Sequence, residues 1–374
     1  MLGRNPGFLR GVSLECCYPR PRVSVSLCLR DEKAVKAVRF HEFGGPEVLK
    51  LEDVPDVRPR EDQVLVRVRA CALNHLDLWI RKGLPGVKLP HINGSDVAGE
   101  VVEVGSYVSS VRRGMRVLLA PMTFCNHCAQ CTAGQQSFCR EFAVLGYLND
   151  GGNAEYIALP EVNVIPIPDS LSYDQAASVP LVFLTAWHML VSRARIKAAD
   201  TVLVLGGGSG VGSAAIQICK MLGATVIATA GDEVKLQKSR ELGADHTVHH
   251  YKQKIAEEVR RITSRAGVDI VFEHVGAATF DESVRSLRPG GTLVTCGATT
   301  GPEAKFDIRV LFSRQLSFLG SYMGTMCELH EVLKHVFSGK LKPVVDRTFP
   351  LSEARAAHER LEKSEQFGKI VLNP

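Results

Sequence analysis

Four cysteines of this 374-residue chain follow one another at the spacing of metal ligands: Cys125, Cys128, Cys131 and Cys139. Four thiolates can close around one tetrahedral zinc ion and leave it no open position, which is the coordination of a structural site. Disulfides are the alternative, but such short spacings suit shared ligation better. His127 lies inside the same stretch and could compete as a ligand. The spacing therefore predicts one structural zinc ion held by the four cysteines.

A glycine-rich turn is the second feature that could do chemistry. The apolar run Thr201–Leu205 predicts a buried strand, glycines crowd residues 206–212, and Ala214 and Ile218 then recur at helical spacing. Such a unit binds a dinucleotide pyrophosphate, because glycine lets backbone N–H groups approach the phosphates at a helix N-terminus. Ser209 stands where the G-x-G-x-x-G pattern has its middle glycine, and a tight structural turn is the alternative. The candidate cofactor-binding residues of the turn are Gly207, Gly208, Ser209, Gly210, Val211 and Gly212.

Two different patterns surround these features. Up to about residue 170 the chain reads as short strands separated by turns, with clear alternation over residues 63–74, which predicts a β-rich domain of barrel type. From about Ser172 helical and strand-like stretches alternate, which predicts a parallel, doubly wound sheet. Predicted strands after the turn are 225–230, 269–275, 291–297 and 315–323, and predicted helices are 232–244 and 280–287.

The totals exclude several classes of protein. Hydrophobic residues make up 45% and charged residues 23% of the chain, as in globular proteins, and the excess of 45 basic over 40 acidic residues is scattered. Neither a nucleic-acid partner nor a membrane is therefore expected. Eleven cysteines without a secretory signal do not read as a secreted disulfide scaffold, so a reducing, cytoplasmic location is expected.

The first 34 residues differ from the rest, being rich in arginine and proline and poor in acids. They resemble a transit peptide. A disordered extension, or translated upstream sequence ahead of a start near Val35, is the simpler interpretation.

From Val35 to Pro374 the chain resembles the medium-chain dehydrogenase/reductase superfamily of zinc alcohol dehydrogenases and quinone oxidoreductases. The motifs that carry the resemblance are Gly94-x-Asp96-x2-Gly99-x5-Gly105, the four-cysteine lobe, LTAW at 184–187, the glycine turn and ELGAD at 241–245. The resemblance implies an α/β fold: a GroES-like catalytic domain of residues 35–182 and 325–374, which carries the zinc lobe, interrupted by a Rossmann domain of residues 183–324. The active site would lie in the cleft between them.

The departures from the family concern the catalytic metal. Zinc-dependent members hold it with cysteine, histidine and cysteine, and the matching positions here are Asn74, Ser95 and Leu181. Leucine cannot ligate zinc, and amide and hydroxyl oxygens are poor ligands beside thiolate and imidazole. The family's proton relay would fall at Leu76 and Trp79, which cannot pass a proton. A catalytic zinc is not expected.

Without a metal to acidify an alcohol, a quinone or an α,β-unsaturated carbonyl is the easier substrate. Hydride from NAD(P)H can enter the β-carbon, and hydrogen-bond donors can hold the charge that collects on the carbonyl oxygen. Asn74 and Ser95 offer such donors, and the resemblance places Thr185 near the nicotinamide. The alternative for all three is ordinary polar satisfaction of the cleft wall.

The choice of cofactor is less well defined. Asp232 lies 20 residues past Gly212, where an acidic residue would bind a ribose diol and favour NAD. Matching through ELGAD instead places Ala230 at that position, and Lys235 and Tyr251 resemble residues that bracket the 2′-phosphate of NADPH. NADPH is slightly favoured, and NADH stays open.

Two other functions and an assembly are considered. An alcohol or aldehyde dehydrogenase is the rival within the family, and a catalytically silent nucleotide-binding protein is the rival from another class. The partner is expected to be a small carbonyl or quinone substrate. The apolar run 315–323 predicts an edge strand that pairs two chains into a homodimer or homotetramer, with a buried internal strand as the alternative.

Overall fold

A computed structural model describes residues 34–374. The predicted disordered extension, residues 1–34, lies outside this described part except for its last residue. Short strands dominate the first half, as the alternating apolar residues predicted. In chain order the elements of this half are β1 (Val35–Phe40), β2 (Lys50–Val54), β3 (Gln63–Ala72), α1 (His75–Lys82), β4 (His91–Ile92), β5 (Asp96–Val104), β6 (Arg116–Leu119), β7 (Met122–Thr123), α2 (Ala129–Thr132), β8 (Ala143–Val144), β9 (Tyr156–Pro160), β10 (Val164–Pro166) and α3 (Tyr173–Ala177).

The strands of this half form one large sheet and two small ones. The large sheet runs β10-β6-β5-β3, with β9 also paired to β3, and the small ones are β2-β1-β4 and β7-β8. Val64, Val66 and Val68 alternate along β3 and are all buried in one apolar cluster with β5 and β6. Ala72 at the end of β3 is the antiparallel partner of Asp96 at the start of β5, so the chain on either side of these residues converges.

A six-stranded parallel sheet follows. Its order is β13-β12-β11-β14-β15-β16, and every pairing within it is parallel, which confirms the predicted Rossmann fold. The strand order reverses next to β11, the position at which such sheets bind dinucleotides. The elements are α4 (Pro180–Trp187), β11 (Thr201–Val204), α5 (Gly210–Met221), β12 (Thr225–Ala230), α6 (Glu233–Glu241), β13 (His246–His249), α7 (Ile255–Ile262), β14 (Val268–Glu273), α8 (Phe280–Ser286), β15 (Leu287–Thr295), α9 (Ile308–Ser313) and β16 (Ser317–Gly320).

The last part of the chain returns to the first sheet. It consists of α10 (Met326–Phe337), β17 (Val345–Pro350), α11 (Ala354–Glu362) and β18 (Lys369–Asn373). β18 pairs antiparallel with β3 and parallel with β17, which extends the large sheet to seven strands. The domain bounds 35–182 with 325–374, and 183–324, stay a prediction.

One apolar core connects the two sheets. Buried residues of β3, α4, β11 and α10 belong to a single cluster that includes Ala70, Val182, Val204 and Leu329. The helix α4 therefore lies between the β-rich half and the parallel sheet, where it can contribute to a site from both sides. Among the described residues, no helix combines the length and the apolar character that crossing a bilayer requires.

Candidate active site

Three separate parts of the chain meet around the carboxylate of Asp96. Asn74 follows β3, Leu181 lies in the first turn of α4, and Lys369 begins β18. The backbone N–H of Leu181 donates to Oδ1 of Asp96 at 2.7 Å, and Nδ2 of Asn74 donates to Oδ2 at 3.0 Å. Of the three positions that the resemblance matched to metal ligands, Asn74 and Leu181 are therefore joined here by hydrogen bonds through one carboxylate.

The cation in this cluster is Lys369. Its Nζ donates to Oδ1 of Asn74 at 2.6 Å and to Oδ2 of Asp96 at 2.8 Å. The side chains of Lys369 and Asp96 are 3% and 0% exposed, so the ion pair is buried. Removing one partner of such a pair typically costs about 3–5 kcal/mol, because the other charge stays buried without compensation. Asp96 and Lys369 therefore each need the other as a buried counter-ion.

Asp77 fixes the backbone on which the cluster is built. Its Oδ2 accepts the N–H of Asn74 at 2.7 Å, and its Oδ1 accepts the N–H of Gly94 at 3.1 Å. Burial raises the pKa of the Asp77 carboxyl to about 6, against the opposing effects of these N–H donors and of Lys369. Asp77 thus holds the residue before α1 and the loop before β5 in one place.

The two other predicted catalytic residues lie in the same region but without marked contacts. Ser95 is fully buried, and its Oγ has no hydrogen-bond partner within residues 34–374. Thr185 is buried in α4 four residues after Leu181, and hence on the same helix face. The roles of Asn74, Ser95 and Thr185 in catalysis stay predictions.

The glycine turn joins the end of β11 to the start of α5. A Cβ atom on Gly212 would lie 2.3 Å from the carbonyl oxygen of Gly206, so only glycine fits there. Ser209, which replaces the expected middle glycine, is the N-cap of α5, and its Oγ accepts the N–H of Gly212 at 2.9 Å. The departure from the strict motif thus supplies a helix cap.

The start of β18 lies directly against this turn. The N–H of Gly368 donates to the carbonyl of Gly208 at 2.9 Å. A Cβ atom on Gly210 would lie 2.8 Å from Cδ of Lys369, so the lysine stem passes along the turn while its ammonium reaches Asp96. The glycine turn and the cluster of Asn74, Asp96 and Lys369 are consequently neighbours.

Two histidines lie near this junction. Nε2 of His274 is 2.8 Å from the carbonyl oxygen of Leu205 and 3.4 Å from Oγ of Ser209. Burial lowers the pKa of His274, and burial together with the charges of His274 and Lys369 lowers the pKa of His75 to about 4. Both shifts favour the neutral form of the ring.

The residues predicted to choose between NAD and NADPH lie around the end of β12. Asp232 is the N-cap of α6 and accepts the N–H of Lys235 at 2.8 Å. The ammonium of Lys235 donates to the carbonyl of Ser364 and lies 3.7 Å from Asp232. Tyr251 is 82% exposed, and its ring would be 2.6 Å from a Cβ atom on Gly231. The three residues surround one end of the sheet, and their part in binding a cofactor stays a prediction.

The four predicted cysteine ligands converge. The sulfur atoms of Cys125, Cys128, Cys131 and Cys139 all lie within 4.8 Å of one another. Cys125 Sγ is 3.8 Å from Cys131 Sγ and 3.6 Å from Cys139 Sγ, close to the ~3.8 Å edge of a tetrahedron of Zn–S bonds and far from the ~2.05 Å of a disulfide. The backbone N–H groups of His127 and Cys128 lower the pKa of the Cys125 thiol to about 6. His127 itself directs Nδ1 to the carbonyl oxygen of Cys125 at 2.7 Å.

Sequence reasoning missed Lys369, Asp77 and His274. Lys369 carried a usable signal, because it directly precedes the three apolar residues Ile370–Leu372 of the strand Lys369–Asn373. A lysine is rarely buried unless it is paired, so its position implied a buried acidic partner. The sequence could not show that this partner is Asp96.

The hydrogen bonds around Asp96 disfavour a metal ion at this site on chemical grounds. Oδ1 of Asn74 and Oδ2 of Asp96 already accept hydrogen bonds from an ammonium group, and an added cation would face that positive charge. Within residues 34–374, each group of three or more His, Cys, Asp or Glu side chains whose ligand atoms lie within 4.8 Å of one another includes Cys125. The side chains can instead orient and polarise a carbonyl group beside a dinucleotide.

Known protein families match both halves of the chain. Residues 60–169 match the alcohol dehydrogenase GroES-like domain family, and residues 210–338 match the zinc-binding dehydrogenase family. The chain is 31% identical to an NAD-dependent alcohol dehydrogenase of Sulfurisphaera tokodaii over 91% of this chain and 100% of the relative. It is 30% identical to a quinone oxidoreductase of Homo sapiens over 91% of this chain and 98% of the relative.

A solved structure shows the same fold. A crystal structure of an NAD-dependent alcohol dehydrogenase superimposes with a TM-score of 0.88 at 44% identity, covering 91% of this chain and 99% of the other. With both domain families matched and relatives aligned over their full length, the family and the general chemistry are established. The chain belongs to the medium-chain dehydrogenase/reductase superfamily and is an NAD(P)-dependent oxidoreductase.

Proposed function

We propose that this protein reduces quinones or α,β-unsaturated carbonyl compounds without a metal ion in its substrate cleft. The observation that carries the proposal is the buried cluster of Asn74, Asp96 and Lys369, in which Asn74, at a position matched to a metal ligand, is hydrogen-bonded to a carboxylate and an ammonium group. Bound NAD(P)H would supply the hydride to the β-carbon of the substrate. The chain itself orients the carbonyl group, excludes water and offers hydrogen bonds to the oxygen on which charge develops.

Alcohol oxidation is the rival activity, and relatives with that name are among the similar proteins. It requires that a hydroxyl group lose a proton that is barely acidic in water, and a bound metal is what usually lowers such a pKa. The side chain of Leu181 cannot ligate a metal, and Leu76 and Trp79 cannot relay a proton. The quinone oxidoreductase relatives therefore indicate the better match in chemistry.

A panel of substrates tests this proposal. The purified protein is given NADPH or NADH with a quinone and with an enone, and NAD⁺ or NADP⁺ with a simple alcohol, and turnover is followed by absorbance. We expect reduction of the conjugated carbonyls and at most about one hundredth of that rate with the alcohol, as expected from losing metal-assisted deprotonation. Activity confined to the alcohol would contradict the proposal. Cofactor binding without any turnover would favour a silent nucleotide-binding protein.

NADPH is the proposed cofactor, with NADH as the alternative. Lys235 and Tyr251 are the residues that would face a 2′-phosphate, whereas the carboxylate of Asp232 would repel it. Lys235 already donates to Ser364 and lies beside Asp232, so part of its positive charge is offset before any phosphate binds. Fluorescence titration of both cofactors would show whether the affinity for NADPH exceeds that for NADH.

A structural zinc ion held by Cys125, Cys128, Cys131 and Cys139 completes the proposal, since their sulfur atoms have the required spacing. Bound there, the ion would crosslink the lobe. The four reduced thiols also fit the proposed cytoplasmic location.

A further inference from the structure

The ammonium group of Lys369 has unused hydrogen-bonding capacity. An ammonium group carries three N–H donors, and two of them are directed to Asn74 and Asp96. No third acceptor for this group occurs within residues 34–374. One N–H of Lys369 is therefore left for a bound molecule.

The amide of Asn74, by contrast, is fully engaged. Its Nδ2 donates to Oδ2 of Asp96 at 3.0 Å and faces the carbonyl oxygen of Ala72 at 3.5 Å, and its Oδ1 accepts from Lys369. Burial lowers the pKa of the nearby rings of His75 and His274, which favours their neutral forms. Lys369 is thus the donor in this cluster that combines a positive charge with a spare N–H.

We propose that Lys369 is a catalytic residue whose ammonium group donates a hydrogen bond to the carbonyl oxygen of the substrate. The inference deepens the proposed function and rests on it. Bound NAD(P)H would supply a hydride for a new C–H bond at the β-carbon and would itself be oxidised to NAD(P)⁺. The C=C electrons would then form a double bond to the carbonyl carbon and the C=O electrons would move to oxygen. Lys369 stabilises this enolate oxygen and keeps its proton, and solvent protonates the α-carbon.

A purely structural role of Lys369 as counter-ion of Asp96 is the competing explanation, and the variants are chosen to separate it from a catalytic role. Lys369→Met keeps the length of the side chain but leaves Asp96 buried without a counter-ion, so that variant can fail to fold. The double variant Lys369→Met with Asp96→Asn removes both charges together, and the new amide can donate to Asn74. Lys369→Arg keeps the charge.

The double variant separates the two roles. We expect it to melt within a few degrees of the wild type and to bind NADPH with similar affinity, yet to reduce the enone with a kcat/KM about 100-fold lower, the usual loss when one oxyanion donor is removed. Lys369→Arg should recover a measurable part of that loss. A double variant that reduces the enone as fast as the wild type would overturn the inference.

A binding measurement tests, without turnover, whether Lys369 presents its positive charge to a ligand oxygen. In the presence of NADP⁺, 4-nitrophenol is titrated into the wild type and the double variant, and its absorbance spectrum reports the ionised fraction. We expect the wild type to lower the pKa of the bound phenol and the double variant not to. Equal spectra would contradict the inference. If the wild type reduces no conjugated carbonyl, the proposed function fails, while the phenol spectra still decide whether Lys369 presents its charge to a ligand oxygen.

Discussion

At the scale of single residues, Asp77 fixes the backbone of the site at a cost in stability. Its carboxyl group is completely buried, between backbone N–H donors, the ammonium of Lys369 and the carboxylate of Asp96. The N–H groups of Asn74 and Gly94 need a two-oxygen acceptor at this point, which a carboxyl group provides. The cost is that the ionised form is disfavoured by burial, so its pKa rises from 3.8 to about 6.

The raised pKa of Asp77 predicts a pH dependence with a defined sign. Between pH 3.8 and about 6, folded Asp77 keeps a proton that the unfolded chain has released, so this group makes the free energy of unfolding decrease as pH rises. The whole effect is about 3 kcal/mol, because each tenfold change in proton affinity corresponds to roughly 1.4 kcal/mol. Above about pH 6 the effect is constant, since the carboxyl group is then ionised in both states.

The variant Asp77→Asn should remove that slope. Urea unfolding from pH 4 to 7 would give the difference in unfolding free energy between wild type and variant, and we expect it to fall across this window. The lost acceptor oxygen adds a cost that does not vary with pH. Asp169→Asn, at a fully exposed side chain, is the matched control. A difference that is independent of pH would show that Asp77 does not titrate there.

At the scale of elements, the cysteine lobe has little apolar core to stabilise it. The helix α2 has four residues, and the paired strands β7 and β8 have two each. The contacts of the lobe with the rest of the chain include the ring pair Phe142 and Tyr322, whose centroids are 5.7 Å apart. Elements this short depend on a crosslink, which a zinc ion would supply.

We therefore expect Cys128→Ser to abolish zinc binding and to lower the melting temperature. Elemental analysis should find one zinc ion per wild-type chain and close to none in the variant. Cys327→Ser is the control, since Cys327 is exposed and lies outside the lobe. Unchanged metal content in Cys128→Ser would refute the assignment, and two tightly bound zinc ions in the wild type would place a second metal in the cleft.

At the scale of the whole molecule, β16 is the open edge of the parallel sheet. The N–H of Ser321 donates to Thr295 in the neighbouring strand β15, so by alternation the N–H of Phe318 points towards the free edge. Next to it, α9 exposes Ile308 and Phe312, which are 70% and 67% accessible. An apolar edge of this kind favours pairing with a second copy across a two-fold axis.

We predict a dimer, or a dimer of dimers, and expect Phe318→Pro to weaken it. Proline removes the outward N–H donor of β16. Because the Phe318 ring also packs on Phe306 at 4.9 Å, Phe318→Ala is the control that deletes the ring and keeps the donor. Sedimentation at micromolar concentration would measure assembly. If the proline and alanine variants associated equally, the interface would lie elsewhere. A monomeric wild type would exclude the dimer.

Features that lie within one short stretch were predictable from the sequence, and features that depend on distant partners were not. The glycine turn and the cysteine cluster each lie within one short stretch, so spacing alone predicted their geometry. β13 (His246–His249) was missed because valine is its only apolar residue. α7 (Ile255–Ile262) was missed although Ile255, Val259 and Ile262 recur at helical spacing. The strand predicted at 315–323 covers Ser317–Gly320 alone. Lys369 was missed because its partner Asp96 lies 273 residues earlier in the chain.

The late arrival of β18 has a consequence for biosynthesis. Lys369 follows Asn74 by 295 residues, and a ribosome adds roughly 5–20 residues per second, so about 15–60 s pass between the emergence of the two. During that interval Asp96 has no counter-ion and β3 lacks one of its neighbours. The parallel sheet between them is complete before β18 is made. The parallel sheet can therefore fold on the nascent chain, whereas the buried cluster of Asn74, Asp96 and Lys369 assembles only after β18 has been made.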